Sequence, residues 1–385
     1  MANILVIGNK SSVLVGRRGK VGLQGGHQIY WYTDASNHVS PEDENDPVTA
    51  RLHSRFKTKA LIKLAQLVEP IYINYLVRKL RVDLVHVHWA NQLLIPFGIP
   101  RKIPVVVSAM GGDVMPDRSL LHNRSRFTIT RMLKRASVIT SKSQHMDEAI
   151  RSIDPGLVSK IQRINWGVDT THFIDDLDCQ ELRDEWKIPE GSTIFFDMRS
   201  AKPFYRKEII MEAFARIKDQ INAVLMISEF NDGSDESQEY LRDLHNIAEE
   251  MGVTNSVRFV GSIPQNEIPK YYNLADIGIS IPPSDGMPQS LFEMMACGTY
   301  PIIGDLKQYR EVITNGNGAT MVPVGTSDDH IEALADAMLN AAKNPGMRKV
   351  MATRNRNLVC EIANEKEQFR RMNSIYKELL ESRKG

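Results

Sequence analysis

Short apolar runs alternate with longer segments of helical period along the whole chain, the pattern of parallel sheets covered by helices on both faces. In the first half the runs predict strands at Asn3–Gly8, Gln28–Thr33, Asp83–His88, Pro104–Ser108 and Ser137–Ser141. In the second half they predict Thr193–Met198, Ala223–Ser228, Ser256–Gly261, Asp276–Ile281, Pro301–Gly304 and Thr320–Val324. Two sheets follow, and 385 residues suit two α/β domains of about 150–200 residues each. Between them Asn165-Trp166-Gly167-Val168-Asp169 and the polar, acidic stretch to Glu190 read as a crossover. The domains are therefore placed at residues 1–170 and 171–360. Over residues 361–385, Ile362, Phe369, Met372, Ile375, Tyr376 and Leu379 recur at spacings of three, four and seven, so this end predicts an amphipathic helix that needs an apolar surface.

Composition narrows the class. A quarter of the residues are charged, which argues against disordered and fibrous chains. Cys179, Cys297 and Cys360 are far apart and form no Cys-x-x-Cys pair, so the expectation is a reducing, cytoplasmic setting without a disulfide framework or zinc site. The chain opens on Ile4-Leu5-Val6-Ile7 without a basic leader, and no apolar run approaches the roughly 18 residues of a membrane helix. Charge is lopsided: residues 1–150 carry 21 Lys and Arg against 11 Asp and Glu, the remainder 27 against 36. The basic residues concentrate in Arg51, Arg55, Lys57, Lys59, Lys63, Arg78, Lys79 and Arg81, and in Arg124, Arg126, Arg131, Lys134 and Arg135. Such stretches read either as solvated helix faces or as contacts to an anionic partner, a membrane surface or a phosphorylated acceptor. No recognition motif accompanies them, so nucleic acid is not expected.

The chemistry concentrates in residues 281–303. A strand runs into the Pro/Gly-rich loop Ile281-Pro282-Pro283-Ser284-Asp285-Gly286-Met287-Pro288, a helix starts near Ser290, Gly298 stops it, and a new strand follows. A helix N-terminus there favours an anion such as a diphosphate. Asp285 and Glu293 flank it, and a carboxylate can accept hydrogen bonds from two neighbouring sugar hydroxyls. Ser290-Leu291-Phe292-Glu293 is equally a Ser-x-x-Glu capping box, in which Glu293 only satisfies the amide of Ser290.

This segment resembles the signature of glycosyltransferase family 4 and related retaining transferases of the GT-B fold: a Glu, seven residues, a second Glu, then Ala-Met-Ala-Cys-Gly-Thr-Pro-Val or similar. Asp285 stands where the first Glu is usual. Val85-His86-Val87-His88-Trp89, Asn165-Trp166-Gly167-Val168-Asp169, Val257-Arg258-Phe259-Val260-Gly261 and Tyr271-Tyr272-Asn273-Leu274-Ala275-Asp276 resemble further family pieces in their usual order. The resemblance implies an α/β GT-B architecture, with two Rossmann-like parallel-sheet domains facing across a cleft and a C-terminal helix returning to the first. It implies a retaining transfer from a nucleotide diphosphate sugar to a saccharide or lipid-linked acceptor, as in bacterial surface polysaccharide or glycoconjugate synthesis, with no metal or other cofactor. Asp285 would meet the donor sugar, Gly286, Met287, Pro288, Gln289, Ser290 and Leu291 would line the donor, and Glu293 would hold the ribose.

Other residues fit less closely. Arg199 follows the first strand of the second domain and matches the family's phosphate-binding Arg; its partner cation is read as Lys207, with Lys202 and Arg206 as alternatives. Gly111-Gly112-Asp113 resembles the family's His-Gly-x-Asp as a donor contact, with Met110 in the histidine position. His88 at a strand end is a catalytic candidate facing the cleft; His86 shares its strand face but no third metal ligand is evident. The first loop, Asn9 to Gly19 with Arg17 and Arg18, departs from the family pattern and lacks a Gly-x-Gly-x-x-Gly dinucleotide fingerprint. Asp176-Leu177-Asp178 lies in the crossover and not after a strand. A nucleotide-sugar epimerase or phosphorylase of similar fold, and an inactive nucleotide-sugar binding subunit, are the alternatives.

Overall fold

A computed structural model describes residues 1–33, 47–92, 94–115, 123–231 and 233–383. The chain divides into two units, Met1–Trp166 with Lys366–Gly385, and Gly167–Glu365. The first unit holds β1 (Asn3–Ile7), β2 (Gln28–Thr33), β3 (Val48–Ala50), β4 (Leu84–His88), β5 (Val105–Ser108), β6 (Val138–Ser141) and β7 (Ile161–Arg163), paired in the order β3-β2-β1-β4-β5-β6-β7. Every pairing in this sheet is parallel. That explains the near-continuous apolar runs, since a parallel strand buries both faces. Leu5, Ile7, Val85 and Val87 pack on one side with Ile73, Leu76 and Ile129. Ile4, Val6, Leu84 and Val106 pack on the other with Val21, Phe369, Met372 and Tyr376.

The helix Glu365–Ser382 supplies that second layer, so the end of the chain completes the core of the first unit. Ile362, read from sequence as part of the same stripe, lies instead on the helix Pro345–Ile362 and packs in the second unit, because the helical run breaks at Ala363 and Asn364. Tyr376 Oη lies 2.6 Å from His86 Nδ1, and His86 Nε2 lies 2.7 Å from Ser108 Oγ. Burial pushes the His86 pKa down to about 3. Burial, then His86 and Arg18, hold the neighbouring His88 well below the ordinary histidine range.

A histidine depressed in this way makes stability depend on pH. In the unfolded chain it titrates near pH ~6.5, so between about pH 3 and 6.5 the unfolded state binds more protons and stability falls as pH falls. For one such ring the loss at pH 5 is about 2 kcal/mol, and it vanishes above pH ~7. Urea melts at both pH values should show wild type losing stability on acidification that His86→Gln keeps. Equal losses in the two proteins would refute this account.

The second unit repeats the plan. Its strands are β8 (Thr193–Asp197), β9 (Ala223–Ser228), β10 (Val257–Val260), β11 (Ile277–Ser280), β12 (Tyr300–Gly304), β13 (Thr314–Asn315) and β14 (Gly318–Val322), in the order β10-β9-β8-β11-β12-β14-β13. Alternate residues again serve opposite faces: Ile194 and Phe196 pack with Leu291 and Val359, Phe195 with Phe214 and Met338. The unit's two ends are tied side by side, with the Val168 amide donating to the Ala363 carbonyl at 2.7 Å and the Glu365 amide to the Val168 carbonyl at 3.0 Å. β3, β7 and β13 escape the sequence reading because each is a two- or three-residue edge strand with polar positions and no apolar run.

Candidate functional site

In the second sheet the strand order runs outward in both directions from the β8/β11 pair. Ligands of open parallel sheets collect at the carboxyl ends of strands where the order reverses in this way. Arg199 follows β8 and Asp285 follows β11, so the fold delivers them to the same edge. Arg199 Nη2 donates to Asp285 Oδ2 at 2.9 Å and Nη1 to Ser290 Oγ at 2.9 Å. Its guanidinium carbon lies 4.4 Å from the ring centre of Tyr205. Burial alone weakens the charge of Arg199, but Asp285, then Tyr205 and Tyr309, more than reverse this and hold it above the usual arginine range.

Main-chain geometry shapes the loop before the helix. Asp285 Oδ1 accepts from the Gly286 amide at 2.6 Å, Tyr309 Oη donates to Oδ2 at 3.4 Å, and Gln308 Nε2 donates to the Asp285 carbonyl at 2.5 Å. Met287, not Gly286, takes the left-handed turn, with φ 70°. Such a conformation costs a side-chain-bearing residue roughly 1–2 kcal/mol, and Met287 adopts it with its side chain buried. The helix Gln289–Ala296 begins with Pro288 as its N-cap, which supplies no side-chain cap, and Gly298 ends it at φ 82°. The Gly298 amide reaches the Met295 carbonyl and the Thr299 amide the Met294 carbonyl, a Schellman stop that only glycine enters without strain.

The capping-box reading is thereby corrected. Ser290 is the second residue of the helix, not its cap, and its hydroxyl receives Arg199. Glu293 is buried on the same helix; burial, then the Glu293 charge, pushes the Tyr272 hydroxyl up. Gln289 and Ser290 are half-buried, whereas Gly286, Met287, Pro288 and Leu291 are buried.

Lys207 differs from the expectation of a phosphate-facing cation. Its ammonium is 0% exposed and donates to Asp197 Oδ2 at 2.7 Å. Burial, opposed by Asp197, lowers its pKa. Asp197 Oδ1 in turn accepts from the Arg199 amide at 2.9 Å, so Asp197 links the Lys207 ammonium to the Arg199 main chain. Arg206, left-handed at φ 58°, caps the helix Lys207–Ile217 and donates to the Gly325 carbonyl at 3.4 Å. Lys202 is half-buried. Asp197, Gln308 and Tyr309 were not read from sequence. A carboxylate ending the apolar run of β8 was a usable signal for the first, whereas the other two lie in a remote turn and had none.

The first-unit candidates are placed differently. Asp113 is buried, with Oδ1 accepting from the Met110 and Gly111 amides at 3.0 Å each and Oδ2 from the Ala90 amide at 2.7 Å. Gly111, at φ 116°, makes that turn, and the carboxylate ties the loop after β5 to the end of β4. Burial raises the pKa of Asp113 and the three amides oppose it. His88, expected at a strand end facing the cleft, has a ring that is 0% exposed and packs 4.3 Å from His86 and 6.1 Å from Trp166 between ring centres. Arg18 is buried, its guanidinium 5.3 Å from the Trp166 ring. A groove of about 1250 Å³ at the amino ends of β1, β2 and β4, lined by His27, Asp83 and Arg370, lies at the opposite edge from His88 and Asp113. Among the described residues no three His, Cys, Asp or Glu side chains converge as a metal set.

Comparison with known proteins follows the same division. Residues 178–358 match the family model described as glycosyl transferases group 1, and residues 23–172 that described as glycosyltransferase family 4. The chain is 23% identical to N-acetyl-alpha-D-glucosaminyl L-malate synthase of Bacillus anthracis, over 97% of this chain and 95% of that protein. It is 22% identical to D-inositol 3-phosphate glycosyltransferase 2 of Catenulispora acidiphila, over 64% of this chain and only 57% of that protein. The fold superposes on Anabaena HepE in complex with UDP-glucose with a TM-score of 0.82 at 14% identity, covering 98% of this chain and all of that one.

Proposed function

The chain is a family 4-like glycosyltransferase of the GT-B fold, and from that premise we propose that it moves a sugar from a nucleotide diphosphate donor, with retention at the anomeric carbon and without a divalent metal, to a saccharide or lipid-linked acceptor. The observation that carries this reading is the fork of Arg199 between Asp285 and Ser290 at the start of the helix Gln289–Ala296. A guanidinium and a helix N-terminus on one spot offer charge to a departing diphosphate where it develops. In this reading Asp285 exchanges its Arg199 bond for donor-sugar hydroxyls, and Glu293, further along the helix, holds the ribose. Lys207 and Asp197 keep the Arg199 main chain in register. Synthesis of bacterial surface polysaccharide or another glycoconjugate, on the cytoplasmic side of the membrane, is the setting we assign.

UDP-glucose, the ligand of the HepE complex, is the first donor to test, followed by GDP- and ADP-sugars. Nucleotide release should persist in excess chelator and fall at least ~10-fold in Glu293→Ala, an effect on the order of a lost charged hydrogen bond. Loss of all turnover on chelation would overturn the metal-free account, and an inverted product anomer would overturn retention. An epimerised donor without hydrolysis or transfer would mark an epimerase. Tight donor binding with no release by any form would mark an inactive binding subunit.

A further inference from the structure

The helix Lys59–Lys79 presents its apolar residues on the wrong side for an ordinary surface helix. Ala65, Glu69, Ile73, Leu76 and Val77 form the buried face against the first sheet. On the opposite face Leu61, Leu64, Leu67, Val68, Ile71 and Tyr75 recur at spacings of three and four, and all are exposed, Leu67 at 68% and Ile71 at 73%. A surface helix normally turns charged and polar groups to water on that face. Here cations only border it: Lys57, Lys59, Lys63, Arg78 and Lys79 are exposed, and Glu69, the single acid between Arg51 and Val82, is buried and accepts from Tyr32 Oη at 2.9 Å.

The same chemistry continues beside it. The short helix Ile95–Gly98 packs so closely on Pro70 and Ile73 that a Cβ at Gly98 would lie 2.5 Å from the Pro70 carbonyl. It carries the exposed Phe97, with the Arg131 guanidinium 4.2 Å from its ring centre and 5.4 Å from that of the exposed Phe127. Arg131 and Phe127 belong to the helix Asn123–Arg135, which has five cations in its sequence and no acid; the Arg124 side chain falls outside those described.

We propose that this face docks on an anionic lipid bilayer, the Lys59–Lys79 helix lying in the interface with Leu64, Leu67 and Ile71 among the headgroups and the bordering lysines and arginines on lipid phosphates. Contrary to the expectation from sequence, this helix is long and apolar enough to span a membrane by length and composition, because its few charges sit mostly at its ends, but its inner face is committed to the sheet, so it lies on the bilayer. Self-association through this face would set cations against cations, whereas anionic lipid satisfies both the apolar residues and the charge. The proposal goes beyond the transfer reaction and is independent of it.

Flotation with phosphatidylcholine vesicles, with and without about a third phosphatidylglycerol, tests the proposal in low and high salt. Wild type should float with the anionic vesicles, at least tenfold more weakly in high salt. Leu67→Asp with Ile71→Asp should lose at least tenfold in binding while keeping nucleotide release, and Lys59→Gln with Lys63→Gln should weaken binding to anionic vesicles alone. Wild type staying off anionic vesicles at low salt would overturn the proposal, as would undiminished binding by the aspartate variant. A wild-type dimer in sedimentation that the aspartates dissolve would assign the face to a second copy instead. Nucleotide release is scored separately, so failure of the transfer reading leaves the vesicle result standing.

Discussion

Arg199→Ala should lower kcat for donor turnover by about 10²–10³-fold, the range for removing one preorganised group from a developing negative charge. The substitution removes the cation and also strips Asp285, 9% exposed, of its ionic partner. Breaking an enclosed pair from one side costs about 3 kcal/mol or more, so the variant should also melt earlier. Two milder changes separate these effects. Ser290→Ala removes one of the two guanidinium bonds and should cost about 1 kcal/mol in stability with a far smaller loss of kcat. Arg199→Lys keeps the charge but not the fork, and should recover stability better than rate. Steady-state kinetics beside thermal melts would decide the matter: a folded Arg199→Ala protein with wild-type kcat removes Arg199 from the reaction.

The second large effect lies far from the chemistry. Tyr376→Ala should destabilise the first unit by about 3–5 kcal/mol, the usual cost of emptying an aromatic site in a core. Tyr376 is fully buried among Ile4, Val6 and Ile29, and its hydroxyl is the partner of His86 Nδ1. Tyr376→Phe keeps the ring and loses only that bond, so it should cost about 1–2 kcal/mol. Urea denaturation of the three proteins at pH 7.5 tests the split. If the alanine variant unfolds like wild type, the last helix does not complete the first core.

The sequence disclosed the fold through features that burial makes local. Runs such as Ile4–Ile7 and Phe195-Phe196 are apolar because both sheet faces are covered, and that demand shows in composition. The edge strand Thr314–Asn315 carries no such demand and left no trace. Asp285 and Ser290 could be placed near one another from the sequence because one closes the loop that feeds the helix holding the other, and the family resemblance marked that segment. The family's Arg and Lys pair points to Lys207 as the partner cation, and the burial of its ammonium against Asp197 has no mark in the sequence. Gln308 and Tyr309 reach Asp285 through the order of strands, and proximity of that kind has no signature along a chain.

The paired backbone bonds between Val168, Ala363 and Glu365 have a consequence for how the molecule assembles. The first unit owns a helix that the ribosome delivers only after the entire second unit. While that intervening stretch is unstructured, bringing the helix home means closing a loop of some two hundred residues, an entropic toll of about 4–5 kcal/mol. Once the stretch has folded, its ends emerge together and the toll shrinks to that of a short link. The two units are thus thermodynamically coupled through connectivity alone, and damage to the second should loosen the final helix of the first.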